Sequence, residues 1–279
     1  MSISLRPSVT NFSNDGFSIT AAEPWFKVKV QVIRNYLQSF VTNAAVRTPE
    51  IIVVDLFAGS GLYSVGHQKE IFPAACLSSL TTELPISKWI FCEKDSTQAD
   101  ALRRRVEMHF RSWNVIVLED HPDELIDDLR TQTQPRKGSP KPAIFCLVDP
   151  FSLDIPFSLI DKLVGLGFSF LMPFTFFLNE RQNHSYYLQE QREKVSRYLG
   201  CRLERLDDTQ ANANFYKRMV KQYQNNMLML GLNTALSAHP LRSSLMDLPM
   251  YYVGFFSKTI SPKAVQRDAV MEEQLFLSL

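Results

Sequence analysis

Residues 51–64 read IIVVDLFAGSGLYS, and this stretch decides the fold. Ile51, Ile52, Val53 and Val54, four β-branched aliphatics, run straight into Asp55. An uninterrupted apolar run of this kind marks a strand buried on both faces, as in parallel sheets. Leu56, Phe57 and Ala58 follow, then Gly59-Ser60-Gly61. Glycines just past a strand permit φ > 0 and let a ligand approach the backbone closely. An acid-ended strand, a loop of small residues and then a helix make the first βα unit of a nucleotide-binding sheet. The spacing is not the dinucleotide G-x-G-x-x-G, because Ser64 stands where the third glycine would be. A plain strand-turn-helix corner is the competing reading.

Outward from this stretch the chain alternates strands with helices. Before it, residues 24–42 place Val28, Val32, Ile33, Tyr36, Leu37 and Phe40 at helical spacing, with Pro24 suited to the first turn. After it, a short helix is expected over 72–82, a strand over 88–95, a helix over 96–111 capped by Asp95 or Ser96, and a strand over 115–120. Residues 122–130 read as helix, 143–151 as strand, 156–166 as helix and 168–174 as strand. Residues 183–235 read as mostly helical, and 250–258 as a final strand. The polar residues 1–20 read as a loose arm, and 21–279 as one domain with 183–235 as its helical insertion or cap. Strands alternating with helices predict an α/β fold: a Rossmann-like, mostly parallel sheet with helices on both faces.

The composition fits one compact unit. The 279 residues are 45% hydrophobic and 21% charged, with 30 basic against 29 acidic side chains, so any basic surface must be local. Cys76, Cys92, Cys146 and Cys201 are scattered without metal-ligand spacing, so no metal is expected. No signal pattern and no transmembrane-length run is visible, which makes a reducing cytoplasm the default compartment and excludes a membrane role.

Chemistry gathers at strand ends, where open parallel sheets bind ligands. Asp55, Glu93, Glu119-Asp120 and Asp149 close four successive strands. D-L-F-A-G-S-G resembles the S-adenosyl-L-methionine loop of Rossmann-like methyltransferases, whose backbone meets the methionine end of the cofactor. That reading assigns Asp55, Phe57, Ala58, Gly59 and Gly61 to the loop. Glu93 is placed to accept hydrogen bonds from both ribose hydroxyls. Asp120 is placed for the adenine amine, with His121 as the alternative contact, and Phe91, Cys92 or Lys94 as flanks of the ring. Asp149-Pro150-Phe151 is similar to the D/N-P-P-aromatic motif of amino-methyltransferases. There an acid or amide oxygen and a proline carbonyl accept from an exocyclic amine while the ring stacks on the base, which must leave its own stack. Only one proline is present here, and an Asp-Pro turn after a buried strand is the simpler alternative. Cys146 lies three residues too early for base-carbon chemistry.

Nearly the whole chain resembles the three-Cys-motif partner (TcmP) family. W-F-K-V-K-V-Q-V-I-R-N-Y-L at 25–37 matches its opening helix, with Lys29 in the lysine position. The D-L-F-A-G-x-G strand end, Glu93-Lys94-Asp95 for its E-x-D, Asp149-Pro150-Phe151-Ser152 for its D-P-F/Y-G, and Y-Y-V-G-F-F-S-K near the end follow in order. Arg181 corresponds to the arginine usual after the fifth strand. Ser152 departs from a glycine, and Phe72-Pro73-Ala74-Ala75 from a Gly-Ser-Pro segment. The resemblance implies a methyltransferase-like protein with Lys29 and Arg181 as substrate contacts, and a genomic partner resembling a radical-enzyme protein with three cysteines.

Arg103-Arg104-Arg105 on a helix and Arg136, Lys137 and Lys141 in a loop, with Lys27, Lys29 and Arg34, could make a basic rim for a phosphate backbone, or simply a solvated face. The resulting expectation is S-adenosyl-L-methionine-dependent N-methylation of a nucleic-acid base amine. The alternatives are a catalytically silent partner protein in a mobile-element or phage-defence system, and a small-molecule methyltransferase. The oligomeric state is not encoded in any of these motifs.

Overall fold

The structure, a computed structural model, describes residues 11–135, 137–203 and 211–276; residues 1–10 of the arm and Arg136 lie outside the described residues. In chain order, β1 (Thr20–Ala22) and α1 (Trp25–Ala45) precede β2 (Ile51–Asp55). A hairpin of β3 (Leu62–Val65) and β4 (Glu70–Pro73) leads to α2 (Ala75–Leu80). Next come β5 (Lys88–Cys92), α3 (Ser96–His109), β6 (Val115–Leu118), α4 (Ile126–Thr133), β7 (Ala143–Leu147), α5 (Phe157–Gly165) and β8 (Phe168–Pro173). The last third holds α6 (His184–Gln189), α7 (Arg192–Leu199), α8 (Asn212–Met229), β9 (Asn233–Pro240), β10 (Met250–Ser257) and α9 (Pro262–Phe276).

The main sheet runs β6-β5-β2-β7-β8-β10-β9. Its first five strands are parallel, and β10 lies antiparallel between β8 and β9. From β2 the chain steps outward through β5 to β6, then returns to β7 and steps the other way to β8. Right-handed crossovers therefore put α2 and α5 on opposite faces. α1 packs on α2 and α9 on one side, and α7 packs on α5 and α8 on the other. The apolar runs occupy the centre, as their composition dictates: every residue of β2 and of β8 is buried. β9, at an edge, alternates buried and open positions instead.

Four differences from the sequence expectation matter. The glycine loop leads into β3, not a helix. β3, β4 and β1 form a small second sheet, with β1 parallel to β3. The N–H of Ala74 donates to the Gly61 carbonyl at 2.8 Å, so residues 62–73 are an excursion and α2 starts where the loop ended. On α1, Val28 is 49% exposed and Lys29 is 0% exposed: the buried stripe runs Trp25, Phe26, Lys29, Val30, Ile33. Within residues 183–235, α6, α7 and α8 are helical as expected, but β9 begins at 233, and α9 was unforeseen. Finally, the described part of the arm is fastened: the Arg105 guanidinium donates to both Asp15 carboxylate oxygens, each at 2.7 Å.

Candidate functional site

The order of progress along the sheet reverses between β2 and β7, the point at which open α/β sheets leave a crevice beyond their carboxyl ends. Asp55 closes β2 and Asp149 follows β7, so the two carboxylates flank this point, with Glu93 beyond β5 on the next strand over. The loop after β2 is held by its own neighbours. Phe57 N–H donates to Asp55 Oδ1 at 3.1 Å, and Gly59 N–H to Glu93 Oε2 at 2.9 Å. Ala58 N–H donates to the Cys92 carbonyl at 3.0 Å. The other Glu93 oxygen accepts from Asp95 N–H at 2.8 Å. Asp95 caps α3 through Gln98 N–H, so the acid that serves the helix is not the acid that serves the crevice.

The two glycines differ. Gly59 has φ +61°, and a Cβ there would have Gln98 Oε1 as its nearest neighbour, at 3.6 Å. Gly61 has φ +86°, and a Cβ would meet Leu77 at 2.8 Å and Leu102 at 2.9 Å. At Gly61 the close approach is made by the core itself.

Lys29 Nζ lies 2.7 Å from Asp149 Oδ2. The ring centroids of Phe151, Phe26 and Trp25 stand 4.5, 4.6 and 5.4 Å from the same ammonium. Such an arrangement is an aromatic cage, closed on its polar side by a carboxylate. Thr175 Oγ1 donates to the second Asp149 oxygen at 3.2 Å. Phe151 lies parallel to Phe26, with centroids 5.0 Å apart, so one face of its ring is already covered. Lys29, expected to contact substrate, is fully buried and contacts Asp149 instead, because the α1 stripe turns it into the core.

Burial sets the protonation chemistry. The Asp55 carboxyl is pushed up to about 7 by loss of solvent, with the charges of Asp149 and Glu93 adding and the Phe57 N–H and Lys29 opposing. Burial also raises Asp149, against the pull of Lys29 and Thr175. Two further carboxylates, Asp149 and Glu93, thus act on Asp55 at this edge, opposed by the Lys29 ammonium.

Other predicted residues are less tightly drawn together. Asp120 is exposed beyond β6 and accepts the His121 N–H at 2.7 Å; His121 Nδ1 faces Asp123 at 3.6 Å. Phe91 and Cys92 are wholly buried within β5 and cannot flank an adenine ring, which leaves the exposed Lys94. Pro150 is half-buried, and Arg181 is exposed in a loop whose turn Asn179 stabilises. Among the described residues, which leave out Arg136, several members of the expected basic rim are withdrawn from it: Lys29 and Arg105 are buried, Lys27 pairs with Glu70 at 2.5 Å and Arg103 with Glu119 at 2.7 Å.

Sequence reasoning gave Arg105 only a basic rim or a solvated face and missed its buried role. Besides Asp15, its guanidinium donates to the carbonyls of Ser18 at 2.9 Å and Ser60 at 2.5 Å, and so fixes the middle of the glycine loop. A signal existed: Ala101 and Leu102, the buried face of α3, recur at Arg105 with i+4 and i+3 spacing.

No family model matches the chain, and no curated protein matches it. Among solved structures, protein LPL1258 from Legionella pneumophila is similar, with a TM-score of 0.51 and 11% identity over 88% of this chain and 91% of that one. The METTL16 MTase domain has a TM-score of 0.48 and 12% identity over 87% of this chain and 74% of that domain. The first likeness shows the fold, in keeping with the Rossmann-like α/β sheet described above.

Proposed function

We propose that the protein is an S-adenosyl-L-methionine-dependent methyltransferase of the three-Cys-motif partner type, acting on an exocyclic amine of a nucleic-acid base. The observation that supports it most is the carboxyl edge, where Asp55, Glu93 and Asp149 outnumber Lys29 beside a glycine loop. Excess negative charge favours a cofactor whose sulfonium and ammonium outweigh its one carboxylate. Glu93 spends one lone pair of each oxygen on backbone N–H groups and keeps the others for ribose hydroxyls. Phe57, Ala58, Gly59 and Gly61 supply the loop at the methionine end, and Asp120 or His121 the adenine edge. The cofactor supplies an electrophilic methyl group on sulfur. Asp149 and the Pro150 carbonyl orient the amine, and Asp149, its pKa raised by burial, takes the proton the amine sheds. The half-buried Phe151 ring stacks on the base, and Arg181 contacts a phosphate.

Calorimetry tests the cofactor. S-adenosyl-L-methionine should bind more tightly than its neutral thioether product, S-adenosylhomocysteine, and Glu93→Ala should weaken either by about 1–3 kcal/mol. A chain that binds neither overturns the reading.

One observation favours a second reading. The Lys29 ammonium already occupies the Asp149 carboxylate that a substrate amine would need. A silent methyltransferase-fold protein that docks a radical-enzyme-like, three-cysteine partner, in a mobile-element or phage-defence setting, would keep this arrangement. Single-turnover methyl transfer to nucleic-acid pools separates the two: cofactor binding without transfer selects the silent protein.

A further inference from the structure

We propose that the opposite, amino edge of the main sheet carries a separate site, a groove that takes the phosphodiester backbone of a nucleic acid. The proposal rests on the reading above only for the identity of the anion. The groove has a volume of about 470 Å³ and opens where β7 and β8 begin and β10 ends. Arg47, Arg130, Lys141 and Lys258 line it, and no carboxylate does. A neighbouring hollow shares Arg47 and Lys258 and adds Lys263 and Ser261. Ser261 Oγ accepts from Ala264 N–H at 3.4 Å at the start of α9, so the positive end of a 15-residue helix joins the same surface.

Among the described residues, Lys141, Lys258 and Lys263 have no ion-pair partner. Arg130 holds Asp127 at 2.5 Å, and Arg47 donates to the Thr259 carbonyl. The whole chain carries a formal charge of only +1, so gathering five cations, four of them without an acid partner among the described residues, is a local arrangement. Like charges held together repel, and a bound polyanion relieves the repulsion. The track crosses the ends of four adjacent strands, β7, β8, β10 and β9, which is about 15 Å at ordinary strand spacing. That shape suits a repeating charge better than a single anion. Ala143 in the groove opens β7 and Asp149 at the crevice lies two residues past its end, so the two are up to about 20 Å apart by strand rise. A strand of nucleic acid that reaches both sites must therefore wrap the edge of the molecule.

Fluorescence anisotropy with a labelled, mixed-sequence single-stranded RNA of about 12 nucleotides tests the groove. The double variant Lys141→Glu/Lys258→Glu should bind at least about ten-fold more weakly, with a log K against log salt slope shallower by about 1.4. Arg197→Glu/Lys217→Glu makes the same change of charge on α7 and α8 and should alter affinity by less than about three-fold. S-adenosylhomocysteine binding should be unchanged in both variants. Four results overturn the proposal: a groove variant that binds like wild type, an α7/α8 variant that loses as much, polyglutamate of equal length binding as tightly as the RNA, or a wild type that binds no RNA. If RNA binding is lost as expected but no variant binds cofactor, the groove stands and the methyltransferase reading falls.

Discussion

At the carboxyl edge of the main sheet, Lys29 and Asp149 are buried against each other at 2.7 Å beneath three aromatic rings. At the amino edge, Lys141 and Lys258 stand in solvent with no carboxylate opposite them among the described residues. The same kinds of charge are handled in two ways, and burial is the reason. A charge withdrawn from water must be paired, and breaking the pair leaves its partner stranded. A charge left in water is free to meet a ligand and contributes little to folding.

The largest effect should come from splitting the buried pair. Lys29→Met leaves Asp149 buried without its cation and should lower unfolding free energy by about 3–5 kcal/mol in urea denaturation. Lys29→Met/Asp149→Asn should recover most of that loss. A single variant as stable as wild type would dissolve the contrast between the edges.

Next is the glycine loop on the same edge. Gly61→Ala must displace Leu77 and Leu102 as well as hold a side chain at φ +86°, and should cost about 2–4 kcal/mol. Gly59→Ala, with nothing nearer than 3.6 Å, should cost about 1 kcal/mol. Equal losses would mean that packing does not distinguish the two positions.

Asp55 sharpens the comparison through pH. Its folded-state pKa of about 7 lies above the ordinary carboxyl value, so the folded chain binds the proton more tightly than the unfolded one. Stability should therefore fall as pH rises from about 4 to about 7, and Asp149 adds in the same direction. Asp55→Asn keeps an acceptor for the Phe57 N–H and should flatten that profile, gaining about 1–3 kcal/mol near pH 8. An unchanged profile would remove Asp55 as its source. The smallest effect belongs to the amino edge: Lys258→Ala should move stability by less than about 0.5 kcal/mol.

The central strands were legible because burial on both faces leaves no choice of residue. IIVVD, KWIFC, AIFCL and FSFLMP are all strands where the apolar runs stand. The small sheet was not legible, because LYSV and EIFP are short and only partly buried, and their pairing is decided by a distant partner, β1. β9, NTALSAHP, has few large apolar residues, although Gly231 at φ +78° gives α8 a clear stop two residues before it. At the site, Asp55, Glu93 and Asp149 were visible because acids ending apolar runs have no packing purpose. The ion pair of Lys29 with Asp149 was not, since it depends on which way a single α1 position faces.

The grip of Arg105 on Asp15 and Ser60 also bears on the order in which the molecule assembles. Asp15 and Arg105 are 90 residues apart in the chain, with the first two central strands between them. Closing so long a segment is entropically expensive, and the cost is recovered only when those strands have already drawn the ends together. During synthesis Asp15 emerges long before its partner, and the contact of Arg105 with the Ser60 carbonyl can form only once α3 is in place, so one of the bonds that hold the glycine loop depends on a helix that follows it by more than thirty residues.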